Sequence, residues 1–361
     1  VIGELPAFPW SALMPLRALA AEHPDGIVNL ALGTPVDPSP AVARAALAAA
    51  ADAPGHPATE GTPEFREAAT RYLKRRLGAE VAETAVLPAV GTKELIAWLP
   101  AALGLGPGDT VAYPRLSFPT YDVSARLAGA TPLAVDLTAG PPASAPKLLW
   151  LNSPSNPDGR ILTAAELREY VEWGRKHGVL VVNDECYIEH GWTAEPVSIL
   201  HPDVSGPGHE GVLAVHSLSK RSNMAGYRAG FVAGDERLVR TLLEVRRHAG
   251  LIVPAPIAAA MTAALNDDDH VHEQRLRYAK RRKLLLDALL GRGFRVDGSA
   301  GSLFLWATEG RPCWDTTRNL AGLGILVAPG EIYGPAGENH VRLALTATDE
   351  RIATAVTRLR R

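Results

Sequence analysis

An α/β fold with a mostly parallel sheet, followed by a smaller α+β unit, is what this sequence predicts, on three observations. Between residues 86 and 235 at least five short apolar runs alternate with helical stretches, the order that gives parallel strands joined by crossover helices. The run VLVVNDE (179–185) is continuous and apolar, as in a strand covered on both faces. The 361 residues also exceed the usual reach of one hydrophobic core, so two units are expected.

Composition narrows the class. With 47% hydrophobic and 21% charged residues the chain reads as a soluble globular protein. A formal net charge of -2 gives no reason to favour nucleic acid or an anionic membrane over small-molecule partners. Cys186 and Cys313 are too few for a disulfide framework, and neither lies in a CxxC. The N-terminus lacks a basic region leading into an apolar run. The longest apolar stretch, 95–105, contains Pro100 and is well short of the roughly 20 residues a spanning helix needs. A cytoplasmic location is expected.

Taken in order, the chain starts irregular and proline-rich, with a helix over 11–22 and a turn at Gly33-Thr34 leaving a short strand. An alanine-rich helix over 40–51 has Ser39 as N-cap and Pro40 at its first position. The helix over 64–77 is basic along one side, which reads as a solvated face. VLPAV then runs through Gly91 into GTKELIAWLPAAL, a strand–helix junction whose free N–H groups suit an anion. Strands follow at 109–114, 131–136 and 147–152, with an aromatic-rich turn, LSFPTY, after the first. Thr163 caps a helix to about His177, and Glu166 completes a capping box. Strands at 179–185, 211–217 and 231–235 complete the alternation. Beyond residue 235 the chain is helical to about 291, ending in a basic amphipathic helix with apolar positions Leu276, Leu284, Leu285, Ala288 and Leu289. Three strands (SLFLWAT, ILVAPG, HVRLALT) and helices at 313–323 and 349–360 form the last unit.

The chemistry centres on VHSLSKRSNMAGYRAG (215–230), which sets Lys220 beside Ser217 and Ser219, with Arg228 eight residues on. A lysine of lowered pKa can condense with a carbonyl, and hydroxyls with a guanidinium suit a phosphate. The stretch also fits a serine-rich loop with a surface lysine. A phosphorylated aromatic aldehyde would need further partners. Asp184 at a strand end can keep a ring nitrogen protonated, and Tyr187 and Asn156 can hold a ring oxygen. Read singly, Asp184 also fits a helix N-cap and Asn156 an Asn-Pro turn.

Across nearly its full length the chain resembles the fold-type I pyridoxal-phosphate aminotransferases. The motifs are LGTP (32–35), NSPSNPDGR (152–160), NDECY (183–187), SLSKRSNMAGYRAG (217–230) and HVRLALT (340–346). Within that family it is most similar to the N-succinyldiaminopimelate aminotransferases of lysine biosynthesis in high-GC Gram-positive bacteria. The resemblance implies a large cofactor-binding domain over 35–250, built on a mostly parallel, mixed seven-stranded sheet. An interdomain helix and a C-terminal small domain would comprise 251–361, with the N-terminal arm 1–34 contributing part of the small domain.

Pyridoxal 5′-phosphate is the implied cofactor. Lys220 resembles the lysine that bonds to it and shuttles the substrate Cα proton, and Asp184 the partner of its ring nitrogen. Tyr187 and Asn156 resemble the donors to its ring oxygen. Ser217, Ser219, Arg228 and the turn at Gly91, Thr92 and Lys93 resemble the phosphate ligands. Phe118 matches the aromatic stacked on the ring, with Tyr121 as the substitute. Arg342, with Gly33 nearby, resembles the substrate carboxylate site, and Lys93 is the preferred candidate for a substrate's distal end. One position departs from the pattern. Where relatives carry a tyrosine that reaches the partner subunit's phosphate, five residues before a glycine (here Gly61), this chain has His56.

A homodimer acting on amino and keto acids is implied, with glutamate as donor and N-succinyl-2-amino-6-oxopimelate as acceptor. Aspartate or broad-specificity aminotransfer and C–S β-elimination are the alternatives within the fold, and a cofactor-free ligand-binding module the alternative outside it.

Overall fold

The alternation of apolar runs and helices does build a parallel sheet. The structure, a computed structural model, describes residues 5–360; the first four residues of the expected N-terminal arm and the final residue lie outside it. A short strand, β1 (Val28–Asn29), precedes the main sheet. That sheet comprises β2 (Val86–Val90), β3 (Thr110–Pro114), β4 (Thr131–Val135), β5 (Leu148–Asn152), β6 (Leu180–Asp184), β7 (Val212–Ser217) and β8 (Ala229–Gly234). Its order is β2-β8-β7-β6-β5-β3-β4. Every neighbouring pair is parallel except those of β8, which runs antiparallel to both β7 and β2.

Side chains of the central strands alternate between two cores, as a period of two requires. Leu149, Leu151, Val181, Val212 and Ala214 face one core. Leu148, Trp150, Val182, Leu213 and Val215 face the other. Helices Pro63–Leu77, Ala164–His177 and Ala255–Leu265 cover the first face. Helices Thr92–Ala102, Thr120–Leu127 and Glu236–Ala249 cover the second. Burial on both faces is why these strands read as unbroken apolar runs.

The C-terminal part forms a separate antiparallel sheet. Its strands are β9 (Arg295–Asp297), β10 (Phe304–Thr308), β12 (Ala328–Pro329) and β13 (Val341–Ala344), ordered β12-β13-β10-β9, while β11 (Ile325–Leu326) pairs parallel with β1. The N-terminal segment therefore returns to the C-terminal part, where it forms a two-stranded sheet with β11. Arg281, buried in helix Asp269–Gly291, helps to hold it there through ion pairs to Asp37 (2.7 Å) and Asp349 (2.6 Å). Among the described residues no helix is long and apolar enough to cross a membrane.

Most element expectations hold, including the capping box of Thr163 and Glu166. Three local readings need correction. Ser39 does not cap the helix Ala41–Ala49: the helix begins one residue later than expected, with Pro40 at the cap position, and the Ser39 hydroxyl donates to the Asn223 carbonyl (3.0 Å). The basic side of Pro63–Leu77 is only partly a solvated face. Arg76 pairs with the buried Glu189 (2.7 Å) and Arg75 with Asp268 (2.7 Å). Leu276 is 58% exposed, so the apolar stripe of its helix runs instead through Val271, Tyr278, Leu285 and Leu289.

Candidate active site

The strand ends converge as the topology demands. Parallel strands β5, β6 and β7 finish at Asn152, Asp184 and Ser217 on one edge of the sheet, where an α/β fold binds ligands. β8 runs the other way, so its start lies at this same edge, with Gly230 opposite Ser217 and Ala229 opposite Val90. Arg228, just before β8, is thereby placed between the end of β7 and the turn after β2. It adopts φ +54°, in the left-handed region, a conformation that costs a non-glycine residue of order 1 kcal/mol and clusters at functional sites. Gly91 allows the guanidinium to lie against bare backbone, since a Cβ there would collide with Arg228 Nη2.

These elements and β13 surround a cavity of about 280 Å³. Twelve of the fifteen residues given a site role from the sequence line it. They are Gly33, Thr92, Lys93, Phe118, Asn156, Asp184, Tyr187, Ser217, Ser219, Lys220, Arg228 and Arg342. Gly91 lies behind Arg228. His56 is exposed and does not line the cavity of its own subunit.

The charges on the cavity wall are unbalanced. Lys93, Lys220, Arg228 and Arg342 face a single acid, Asp184, and among the described residues no carboxylate pairs with any of the four cations. Grouped positive charge of this kind is what an anionic ligand stabilises. Lys220 donates to the Gly33 carbonyl. Burial of the amine, with Arg342 and Arg228 nearby, brings its pKa from 10.5 down to about 8, within reach of a nucleophile or general base at neutral pH.

Arg342 projects from β13, where it pairs with Trp306 of β10. Its Nη1 donates to Asn156 Oδ1 (2.6 Å) and its Nη2 to the Ala31 carbonyl (2.6 Å). The guanidinium lies over the Phe304 ring at 3.8 Å, near Tyr333 at 4.8 Å and Trp10 at 5.8 Å. Because Asn156 accepts through Oδ1, its amide N–H₂ stays free to donate into the cavity. The Asn156 backbone N–H donates to Asn152 Oδ1 (2.8 Å), and Asn152 Nδ2 to the Asp184 carbonyl (2.8 Å).

The N-terminal segment supplies main-chain acceptors in succession. Leu30 O accepts from the Ala344 N–H, Ala31 O from Arg342, Leu32 O from the Thr346 hydroxyl and Gly33 O from Lys220. A Cβ at Gly33 would stand 2.5 Å from the Phe304 ring, which explains glycine there. At the cavity's other side Lys93 Nζ sits 5.6 Å from the Phe8 ring centroid and 5.9 Å from that of Phe118.

Asp184 is buried, and burial pushes its pKa up, opposed by hydrogen bonds. Its Oδ1 accepts from the Cys186 N–H (3.0 Å) and its Oδ2 from the Tyr121 hydroxyl (2.8 Å). Tyr121 is therefore no substitute for Phe118 as a ring cover. It lies fully buried behind the cavity wall, stacked on Trp150. Sequence reading also missed Asn152, the Ala31 carbonyl and the aromatic enclosure of Arg342. These contacts join distant segments, and no local spacing signals them.

The sequence profile described as aminotransferase class I and II matches residues 25–359. The chain belongs to the class I and II aminotransferases. It is 64% identical over 356 residues, 99% of each chain, to the 4-dedimethylamino-4-oxo-anhydrotetracycline transaminase OxyQ of Streptomyces rimosus. It is 59% identical to the "probable aminotransferase Rv1178" of Mycobacterium tuberculosis, over 99% of this chain and 86% of that one. Among solved structures, a "probable N-succinyldiaminopimelate aminotransferase" from Thermus thermophilus superimposes with a TM-score of 0.86 at 27% identity, covering 98% and 99% of the two chains.

As a member of this family the aminotransferase uses pyridoxal 5′-phosphate and acts on amino and keto acids. The donor set fits that group: a lysine of lowered pKa, a buried carboxylate, and a hydroxyl–guanidinium–helix N-terminus cluster for a phosphate. When bound, the cofactor supplies an electron sink for the carbanion left at the substrate Cα.

Proposed function

We propose that this aminotransferase moves the amino group of L-glutamate to N-succinyl-2-amino-6-oxopimelate, giving N-succinyl-LL-2,6-diaminopimelate and 2-oxoglutarate in two reversible half-reactions. That places it in the diaminopimelate branch of lysine biosynthesis. The observation that carries the reading is the pair of cations Arg342 and Lys93, both lining the cavity and neither paired with a carboxylate. A long substrate anionic at both ends uses both, whereas glutamate is too short to span the full cleft. In this reading the cleft lies between the large domain (35–250) and the small domain (251–361 with part of 1–34).

Lys220 Nζ bonds to the cofactor and moves the proton at the substrate Cα. Asp184 keeps the ring nitrogen protonated. Tyr187 and Asn156 donate to the ring oxygen, and Phe118 covers the ring. Ser217, Ser219 and Arg228, with the N–H groups of the Gly91–Thr92–Lys93 turn, hold the phosphate. Arg342 binds the α-carboxylate beside Gly33. The enzyme works as a homodimer in which His56 reaches the partner's phosphate site.

A second reading has a specific support. The 64% identity to OxyQ favours a bulky cyclic ketone as amino acceptor at the same site. The test is 2-oxoglutarate release from glutamate with each acceptor in turn, alongside release of pyruvate and ammonia from a cysteine conjugate. The proposal expects the succinylated acceptor to exceed oxaloacetate, aromatic keto acids and cyclic ketones by orders of magnitude. It also expects Lys93→Ala to weaken that acceptor more than glutamate. Equal efficiency with oxaloacetate makes this a general aminotransferase, preference for the cyclic ketone selects the second reading, and pyruvate release marks a lyase.

A further inference from the structure

We propose that Tyr121 is a positioning residue that keeps Asp184 ionised and aimed at the cofactor's ring nitrogen. The inference rests on the cofactor reading above but not on the identity of the acceptor. Asp184 is 4% exposed, and no cation contributes to its pKa. Its charge is held instead by neutral donors: the Cys186 side chain, the Tyr121 hydroxyl on Oδ2 at 2.8 Å and the Cys186 N–H on Oδ1. A carboxylate held by hydrogen bonds alone becomes easier to protonate when one is removed. A protonated Asp184 cannot hold a proton on the ring nitrogen by charge.

The hydroxyl is fixed in place. Tyr121 lies in the first turn of Thr120–Leu127, 0% exposed, with its ring stacked on Trp150 of β5 at 5.2 Å and 21°. Its edge meets the Phe118 ring at 6.0 Å and 86°. One side chain thus fixes both the aromatic wall of the cavity and its single acid. Burial raises the phenol pKa, so the group remains a donor at every pH at which the enzyme works. Replacement by phenylalanine leaves both ring contacts and removes only the hydroxyl, so packing and positioning can be separated.

The experiment compares wild type, Tyr121→Phe, Asp184→Asn and the double variant as purified holoenzymes. It reads cofactor dissociation, the pH profile of the glutamate half-reaction, and KM against kcat. Tyr121→Phe is expected to weaken cofactor binding roughly ten- to a hundredfold, the span of one hydrogen bond to a charged acceptor. The acid limb of the profile moves to higher pH because Asp184 protonates more readily, while KM for glutamate stays put because Arg342 is untouched. In the Asp184→Asn background the same change has no further effect. Site-specific difluorotyrosine at position 121 keeps the shape and donates more strongly, so it moves the acid limb the other way; it also serves if Tyr121→Phe does not fold. An unmoved profile in either variant, or an equal effect with and without Asp184, overturns the proposal. A wild-type protein that takes up no cofactor removes the cofactor reading and this proposal together.

Discussion

Arg342→Lys isolates what a planar fork contributes at this site. The wild-type guanidinium has five N–H groups. Two are used on Asn156 Oδ1 and Ala31 O, both at 2.6 Å, while Nε makes no hydrogen bond among the described residues. Three donors therefore remain for an incoming carboxylate. A lysine ammonium has three donors in all and no fork. It cannot serve Asn156, Ala31 and both carboxylate oxygens together, and at least one charge-assisted hydrogen bond is lost, about 1.5–3 kcal/mol. That corresponds to roughly a 10- to 150-fold fall in kcat/KM for glutamate. Stopped-flow absorbance of the bound cofactor measures the half-reaction. The control is a primary amine of similar size without an α-carboxylate. Its slow reaction is expected to be equally slow in wild type and Arg342→Lys, because the lost bond was never made. A loss of similar size for both amines would mean general damage to the site and refute the carboxylate role. A glutamate kcat/KM within twofold of wild type would refute it as well.

Lys220 sets a pH dependence. Burial lowers its pKa to about 8 in the cofactor-free protein, so the neutral amine accumulates as pH rises through 8. The rate of cofactor capture is expected to climb to that point and level off; a climb continuing toward 10.5, the value of an ordinary lysine, contradicts the burial argument. For His56→Ala, cofactor affinity is expected to weaken by about 1–3 kcal/mol, one charge-assisted bond. Unchanged cofactor dissociation removes His56 from the partner's site.

Much of the fold was legible because its signals are local. Unbroken apolar strands, the Thr163 capping box and the glycine after β2 each report a constraint set within a few residues. Asp184, Ser217 and Lys220 could be placed together because each ends or follows a strand of the same sheet. Contacts between segments far apart in the chain were not legible. Tyr121 lies 63 residues from Asp184 and looks like one more aromatic in a turn. Ala31 contributes only a carbonyl, which every residue has. Ser39 carried the right residue type for a cap, but Pro40 takes the cap position and the Ser39 hydroxyl donates to a carbonyl 184 residues away.

The four successive carbonyls at 30–33 have a consequence for how this site tolerates change. Each is matched to a different donor, two of them the cations Arg342 and Lys220. Exchanging the exposed side chain of Leu32 leaves every one of these acceptors in place. Removing a single residue at or before Ala31 shifts both the Ala31 and Gly33 carbonyls off their own donors, so both cations lose their anchors at once. At Leu32 the segment is thus permissive toward spelling yet intolerant of frame, so Leu32→Ala would pass over this row of acceptors while a single-residue deletion would expose it.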